Sequence, residues 1–193
     1  MRTLLLAAAA VLLVPQAPPG AYTWQVDPGH TSAQFSAKHM LVSTVRGTLG
    51  KVTGTIEYDG KSIESIKADV AIDVAGLSTA NENRDKDLRS PNFFEVDKYP
   101  TITFKSKRAE PASAGKFRLI GDLTIHGVTK EVTLNCDGPS PELKTAQGSR
   151  VGASASLALN RRDFGLQYNR MVEAAPIVSD EIQVQIDIEA TKK

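Results

Sequence analysis

The chain has 193 residues, and its 23 Lys and Arg residues almost balance its 22 Asp and Glu residues, which gives a formal net charge of +1. This balance argues against a nucleic-acid-binding protein, because such proteins usually carry a basic excess. The single cysteine, Cys136, rules out an internal disulfide. It continues the apolar face of a strand with Val132 and Leu134, which is typical of a small core residue.

The N-terminal residues predict a secretory signal peptide over residues 1–21. A basic residue precedes an unbroken apolar run over residues 4–14, and prolines break the chain before Ala21. The run is too short to span a bilayer of about 30 Å, and cleavage after Ala17 or Ala21 would release a periplasmic or secreted protein. A buried N-terminal helix is the alternative for this segment. Residues 22–193 then form one domain, because about 170 residues can bury a sizeable core.

The rest of the chain alternates apolar and polar residues over many short segments. In residues 181–190, apolar side chains from Ile182 to Ala190 occupy one face and polar side chains occupy the other. Such a period of two is typical of a half-buried antiparallel strand. The same pattern recurs in residues 52–58, 68–74, 102–104, 117–125 and 151–159. Turn-forming residues and short spacings separate the segments, which favours an all-β fold of roughly eight or nine strands joined by hairpins.

One polar segment, residues 78–90, departs from this pattern and predicts a short helix. Thr79 and Glu82 fit a capping box, and Pro91 supplies a stop. The aromatic pair that follows, at residues 93–94, would pin the helix over one end of a barrel as a lid. An ordinary surface helix is the alternative.

The inward faces of the predicted strands carry side chains of uneven size. Ala153 and Ala155 share a face with Leu157, while Gly54 and Gly121 fall on other apolar faces. Protein interiors are densely packed, so small residues must be met by large ones opposite or leave space. An eight-stranded barrel is either just filled by its own side chains or holds one ligand, and the residues leave both outcomes open.

Several local strings, taken together and in order, resemble the YceI-like family of exported, lipocalin-shaped, polyisoprenoid-binding proteins. They are DPGHTSAQF at residues 27–35 followed by Lys38 and His39, NRD at 83–85, LRSPNFF at 88–94, YPTITF at 99–104, GDLTIHGVTK at 121–130 and NRRDFG at 160–165. The resemblance implies an antiparallel, eight-stranded lipocalin-like barrel with an elongated apolar cavity. It also implies a long isoprenoid ligand, such as a quinone tail or a polyprenyl phosphate.

The odd or even position of a residue along its strand, here called its parity, then predicts which side chains face inward and would bind the apolar tail. These inward-facing residues are Phe35, Ile56, Val70, Ile72, Phe104, Leu119, Leu123, Leu157, Val184, Ile186 and Ile188. Parity defines which residues share a face, but it does not tell which barrel end is open.

A charged headgroup would stay at the rim, because its desolvation is costly. The candidates that could hold it there are four arginines, whose guanidinium groups suit phosphate: Arg84, Arg89, Arg161 and Arg162. Their acidic neighbours Asp85, Asp87 and Asp163 favour the alternative, in which these arginines form structural salt bridges that tie the helix and turns to the barrel.

The remaining residues predict neither a metal site nor a catalytic site. His30 and His39 would point to opposite faces of an unbroken strand, and His30 is expected to bond backbone groups at a strand start. The chain lacks a Gly-x-Ser-x-Gly elbow, a His-Glu-x-x-His motif and a phosphate-binding glycine loop.

We therefore predict a non-enzymatic lipid-binding protein without cofactor, metal, nucleic-acid partner or stable membrane insertion, and a homodimer is left open. One alternative is an enzyme with an unrecognised site at the barrel rim, which a buried carboxylate–histidine pair at the cavity mouth would favour. The other is a packed structural module without a lumen, which large side chains converging inside would favour.

Overall fold

The computed structural model describes residues 20–168, 171–172 and 175–192. The predicted signal peptide lies outside these residues except for its last two positions. The strands are β1 (Tyr22–Val26), β2 (Ser32–His39), β3 (Ser43–Thr48), β4 (Lys51–Tyr58), β5 (Lys67–Asp73), β6 (Thr101–Pro111), β7 (Lys116–Ile125), β8 (Val128–Asp137), β9 (Leu143–Thr145), β10 (Gly148–Asn160), β11 (Met171–Val172), β12 (Ala175–Pro176) and β13 (Val178–Lys192). The helix α1 spans Glu82–Arg89, and 3-10 turns span Ile63–Ser65, Val74–Gly76 and Arg161–Phe164.

Eight strands of the described chain close a ring in the order β1, β4, β5, β6, β7, β8, β10 and β13. All of their pairings are antiparallel. Along β13, for example, Gln185 and Asp187 are exposed on the outer face while Val184 and Ile186 point inward. The predicted all-β, eight-stranded antiparallel barrel with one short helix is confirmed.

The hairpin of β2 and β3 extends the sheet beyond this ring. β13 is long enough to pair with β1 near Ala190 and with β2 over residues 178–187, so both strands share one of its edges. β3 pairs with β2, and a bridge between Thr48 and Ser78 connects β3 to the segment that precedes α1.

The pairing between β8 and β10 is short. Three residue pairs join residues 135–137 to residues 154–156, whereas twelve join β10 to β13. The first residues of β10 pair with β9 instead.

The helix begins at Glu82, and its N-cap lies two residues after the predicted cap. Asn81, not Thr79, is the N-cap, and its side-chain oxygen accepts from the backbone N–H of Arg84 at 3.0 Å. The Thr79 hydroxyl does not cap the helix: its oxygen accepts from Arg84 Nε at 2.7 Å, and it donates to the Asp85 carboxylate. The helix ends at Arg89, ahead of Pro91 as predicted, and Leu88 packs partly buried against the core.

Candidate functional site: the barrel lumen

The centre of the barrel is hollow. The cavity has a volume of about 140 Å³, and its accessible wall is wholly apolar. Apolar cavities of this order, about 150 Å³, stay dry and bind benzene or xenon. This geometry favours a hollow barrel over a packed module.

The lumen is elongated. Its wall on β7 runs from Phe117 to Ile125, which corresponds to about 27 Å along a strand. Barrel strands tilt by about 40°, so the lining residues extend over about 20 Å along the barrel axis. A long, narrow apolar space of this kind suits a thin hydrocarbon chain.

The wall contains every side chain that parity assigned to the tail except Phe35. Those on the wall are Ile56, Val70, Ile72, Phe104, Leu119, Leu123, Leu157, Val184, Ile186 and Ile188. Phe35 is absent because β2 lies outside the ring, where the Phe35 ring packs beside Gly47. Whether the wall residues contact a lipid remains a prediction.

Other wall residues were not assigned from the sequence. Val52, Ala68, Ala153 and Leu159 have the same parity as assigned neighbours, so alternation carried a signal for them. Leu49, Ile66 and Pro139 lie outside the strands, where no periodic pattern exists that could have found them.

Lumen-facing side chains on several strands are only half-buried, among them Val70 on β5, Ala155 on β10 and Val184 on β13, whereas Phe104 on β6 is buried. The wall side chains are therefore not all met by others across the lumen, and space remains.

At Gly121, by contrast, a large side chain fills the space beside the small residue. A Cβ built on Gly121 would lie 2.8 Å from Cζ of Phe104, so the phenyl ring already covers this glycine. The small residue at Gly121 is thus compensated by Phe104 on the neighbouring strand, whereas the small residues of β10 line the void.

Cys136 lies on the lumen wall as a free, buried thiol. Burial raises the pKa of Cys136 to about 11, because the thiolate would lose its hydration. The thiol therefore stays protonated at neutral pH, as expected for a core residue.

Two of the predicted headgroup arginines hold the segment around α1. Arg84 donates to the Thr79 hydroxyl at 2.7 Å and to the Thr79 carbonyl at 3.1 Å. Arg89 donates to the carbonyl of Ala75 at 3.0 Å and to that of Leu77.

The other two arginines share one carboxylate. Arg161, whose side chain is 3% exposed, donates to Asp180 Oδ1 at 2.9 Å, and Arg162 donates to the same oxygen at 2.8 Å. Arg161 also donates to the carbonyls of Leu166, Tyr168 and Ser179.

These contacts favour the structural interpretation of the arginines, but with partners other than those expected. Within the described residues, none of the ion pairs joins these arginines to Asp85, Asp87 or Asp163. Asp85 accepts from Thr79, Asp87 accepts from Asn92, and Asp163 lies 3.9 Å from Lys130. The headgroup role of the arginines remains a prediction.

His30 pairs with a side chain rather than with the backbone groups expected. Its Nδ1 lies 3.0 Å from Asp27 Oδ2, and this hydrogen bond raises the pKa of His30. Together with Glu189, the two side chains form a group whose spacing would suit a metal ion. Arg150, however, contacts both carboxylates and already supplies a positive charge.

A carboxylate–histidine pair of the kind that would favour an enzyme lies near one end of the barrel, but not on the lumen wall. His126 Nε2 is 3.5 Å from Glu95 Oε2, and the imidazole ring packs against Tyr99 with ring centroids 4.4 Å apart. Neither His126 nor Glu95 lines the cavity. Their contacts tie the turn between β7 and β8 to the segment that follows α1.

In the part of the chain that the structure describes, no helix is both long and apolar enough to cross a membrane.

A solved protein domain from Saccharophagus degradans, described as a polyisoprenoid-binding domain implicated in plant cell wall breakdown, has a similar fold. Its TM-score is 0.67 at 15% identity, with 88% of this chain and 98% of that chain covered. At this identity the likeness concerns the fold alone.

Two other comparisons are closer in sequence. A UPF0312 protein of Vibrio cholerae is 32% identical over 178 residues, which cover 92% of this chain and 93% of the relative. The crystal structure of the Campylobacter jejuni YceI protein matches with a TM-score of 0.69 and 31% identity, covering 81% of this chain and 90% of that chain. The sequence model of the YceI-like domain matches residues 24–190. The chain therefore belongs to the YceI-like family.

Proposed function

We propose that the barrel binds and carries a long apolar lipid, with its tail in the lumen, and that it does so without catalysing a reaction. The observation that carries this proposal is the elongated cavity with a wholly apolar accessible wall. A polyisoprenoid of the quinone or polyprenyl phosphate type suits the shape. The Saccharophagus degradans domain, described as polyisoprenoid-binding, supports this choice.

The energetics favour reversible carriage over permanent capture. Burying apolar carbon is favourable by about 0.8 kcal/mol per methylene relative to water. A tail of many methylenes would exceed the ceiling of about −20 kcal/mol for noncovalent binding if water were its real alternative. Its real alternative is a membrane, and transfer between two apolar environments is nearly neutral. A hollow barrel can therefore load and unload such a tail.

The cavity also limits the guest. A volume of about 140 Å³ is below the range of about 300–1,000 Å³ for typical small-molecule pockets, so the lumen as it stands has room for only part of a long tail, and a longer segment requires the wall to widen. A headgroup would remain outside the apolar wall, because the wall offers it no hydrogen-bond partner.

We further propose that the protein acts after export, in the periplasm or outside the cell. The support is the sequence of residues 1–21, in which an apolar run follows a basic residue and ends at prolines. Determining the N-terminus of the protein purified from its own cell envelope tests this part, since an unprocessed N-terminus would contradict it.

Lipid extraction of protein purified from its own envelope tests the binding function, with native mass spectrometry to detect a bound lipid. The informative variant is Ala155→Phe, because Ala155 lies on the wall beside the void. Ala158→Phe is the matched control, since Ala158 lies on the same strand but is exposed outside. We expect the wild type and Ala158→Phe to carry bound lipid and Ala155→Phe to carry none. Wild-type protein that never carries lipid would overturn the proposal.

A further inference from the structure

The β2–β3 hairpin projects beyond the end of the barrel. β10 ends at Asn160, which pairs with Glu181, whereas β2 continues along β13 until His39 pairs with Val178. Because the register of β13 shifts between Ile182 and Val178, β2 advances over this stretch only from Ala37 to His39, which corresponds to about 7 Å. The turn of this hairpin, residues 40–42, is therefore carried past the neighbouring wall strand.

The turn is apolar and open to solvent. Leu41 is 64% exposed and Val42 is 85% exposed. Hairpin turns usually place glycine, asparagine or aspartate where the backbone is left-handed. Here Met40 and Leu41 have φ angles of 50° and 60°, and the Val42 N–H donates to the His39 carbonyl at 3.0 Å. Large apolar side chains are thus held in solvent on a backbone that disfavours them, and such strain is often retained for function.

The hairpin is also basic. Residues 28–56 contain no aspartate or glutamate, while Lys38 and Arg46 stand on one face of β2 and β3. Beside Lys38, close to the turn, β13 contributes Asp180, which Arg161 and Arg162 already neutralise, and Glu181. The net charge of the side chains around the hairpin therefore remains positive. An apolar turn flanked by cations complements a membrane surface that contains anionic lipids.

We infer that residues 40–42 insert into the surface of an anionic lipid bilayer and hold the barrel against it. This inference rests on the proposed function, because a carrier of isoprenoid tails must meet the membrane that contains them. Leu41 and Val42 would leave water, and Lys38 and Arg46 would lie at the level of the lipid phosphates.

A labelled turn residue provides a direct test. Val42→Cys is coupled at neutral pH to an environment-sensitive nitrobenzoxadiazole dye, with which the buried Cys136 thiol should react only slowly. The matched control is Leu143→Cys, since Leu143 is 61% exposed and lies on β9, at the opposite end of β10. Because the dye reports its own surroundings, the result does not depend on whether residues 1–21 are retained.

With vesicles of equal phosphatidylglycerol and phosphatidylcholine, the dye at position 42 should brighten several-fold and shift to the blue. The dye at position 143 should not change, and pure phosphatidylcholine should give a weaker response. Lys38→Gln and Arg46→Gln should each reduce vesicle affinity about fivefold, whereas Lys144→Gln on β9 should not. High salt should reduce the affinity of the wild type.

The inference is overturned if the dye at position 42 does not respond, or if the dye at position 143 responds equally. A blue shift at position 42 that depends on protein concentration, without vesicles, also overturns it, since it would indicate contact between copies of the chain. Lipid extraction from the same preparations separates the two proposals. A lipid-filled lumen without docking contradicts only the inference, whereas docking by a barrel that never holds lipid contradicts the proposed function.

Discussion

The phenyl ring of Phe104 on β6 lies directly against Gly121 on β7. A Cβ at position 121 would meet Phe104 Cζ at 2.8 Å and Ser106 Cα at 2.7 Å, and it would also contact the Lys105 carbonyl. The close approach coincides with a break in the β6–β7 register between Ser106 and Arg108. This glycine therefore allows Phe104 to fill one side of the barrel.

Gly121→Ala should destabilise the protein by about 1–3 kcal/mol, because the backbone contacts cannot relax as a flexible side chain would. Gly152→Ala is the matched control, since its Cβ would meet the Ile188 carbonyl at an ordinary 3.4 Å. Urea unfolding followed by circular dichroism measures both changes. Equal stability of the two variants would contradict the packing described for Phe104.

Arg161→Ala should reduce the free energy of unfolding by about 3 kcal/mol, because it removes the donor to the buried Leu166 carbonyl and to the part-buried carbonyls of Tyr168 and Ser179. Arg162→Ala should cost about 1 kcal/mol or less, since its side chain is 45% exposed. Thermal unfolding of both variants checks this difference. If Arg161→Ala instead kept its stability and lost only a phosphorylated lipid, the headgroup interpretation would be favoured.

Asp85→Asn should lower stability at pH 7 by about 1.5–3 kcal/mol, because the buried carboxylate accepts hydrogen bonds from Thr79 and Ser78. Burial alone would raise the pKa of Asp85, but these hydrogen bonds and the charge of Arg89 outweigh it and lower the pKa below 3.8.

The stabilisation from the Asp85 carboxylate is therefore present above pH 3.8 and is lost as the pH falls through the lowered pKa. Urea titrations between pH 7 and pH 2 should show the difference between wild type and Asp85→Asn shrinking at acid pH. Asp163→Asn is the control at an exposed position and should change the stability at pH 7 little. A constant difference at all pH values would argue against the charged form as the stabilising species.

The Cys136 thiol should react slowly with N-ethylmaleimide at neutral pH and about tenfold faster for each pH unit up to pH 10, because burial raises its pKa to about 11. Mass spectrometry of quenched samples gives the rates, with circular dichroism to confirm that the barrel stays folded. The exposed thiol of Val42→Cys should instead level off near pH 8.5. A plateau for Cys136 near pH 9 would contradict its burial in the wall.

The alternation of apolar and polar residues predicted most strands of the ring, because a period of two is a local property of the chain. Residues 68–74 and 117–125 correspond to β5 and β7 within one residue, and residues 181–190 lie inside β13. Parity also placed most of the proposed wall correctly. It failed for Phe35, because parity shows which face a side chain occupies but not whether its strand belongs to the ring.

The remaining features depend on contacts that are distant in sequence. Asp180, the partner of Arg161 and Arg162, lies on another strand, so nearby carboxylates misled the assignment. Whether a small residue leaves space depends on side chains that are distant in sequence, as Phe104 beside Gly121 shows.

The three residue pairs between β8 and β10 make this boundary compliant compared with the twelve that bind β10 to β13. Ala155 and Cys136 pair across it, and both line the lumen. Few hydrogen bonds join these two strands, as few join β1 to β13, so parting the strands at this boundary would widen the narrow cavity sideways. A lipid wider than the cavity would thus have a lateral entry route between β8 and β10, separate from both ends of the barrel.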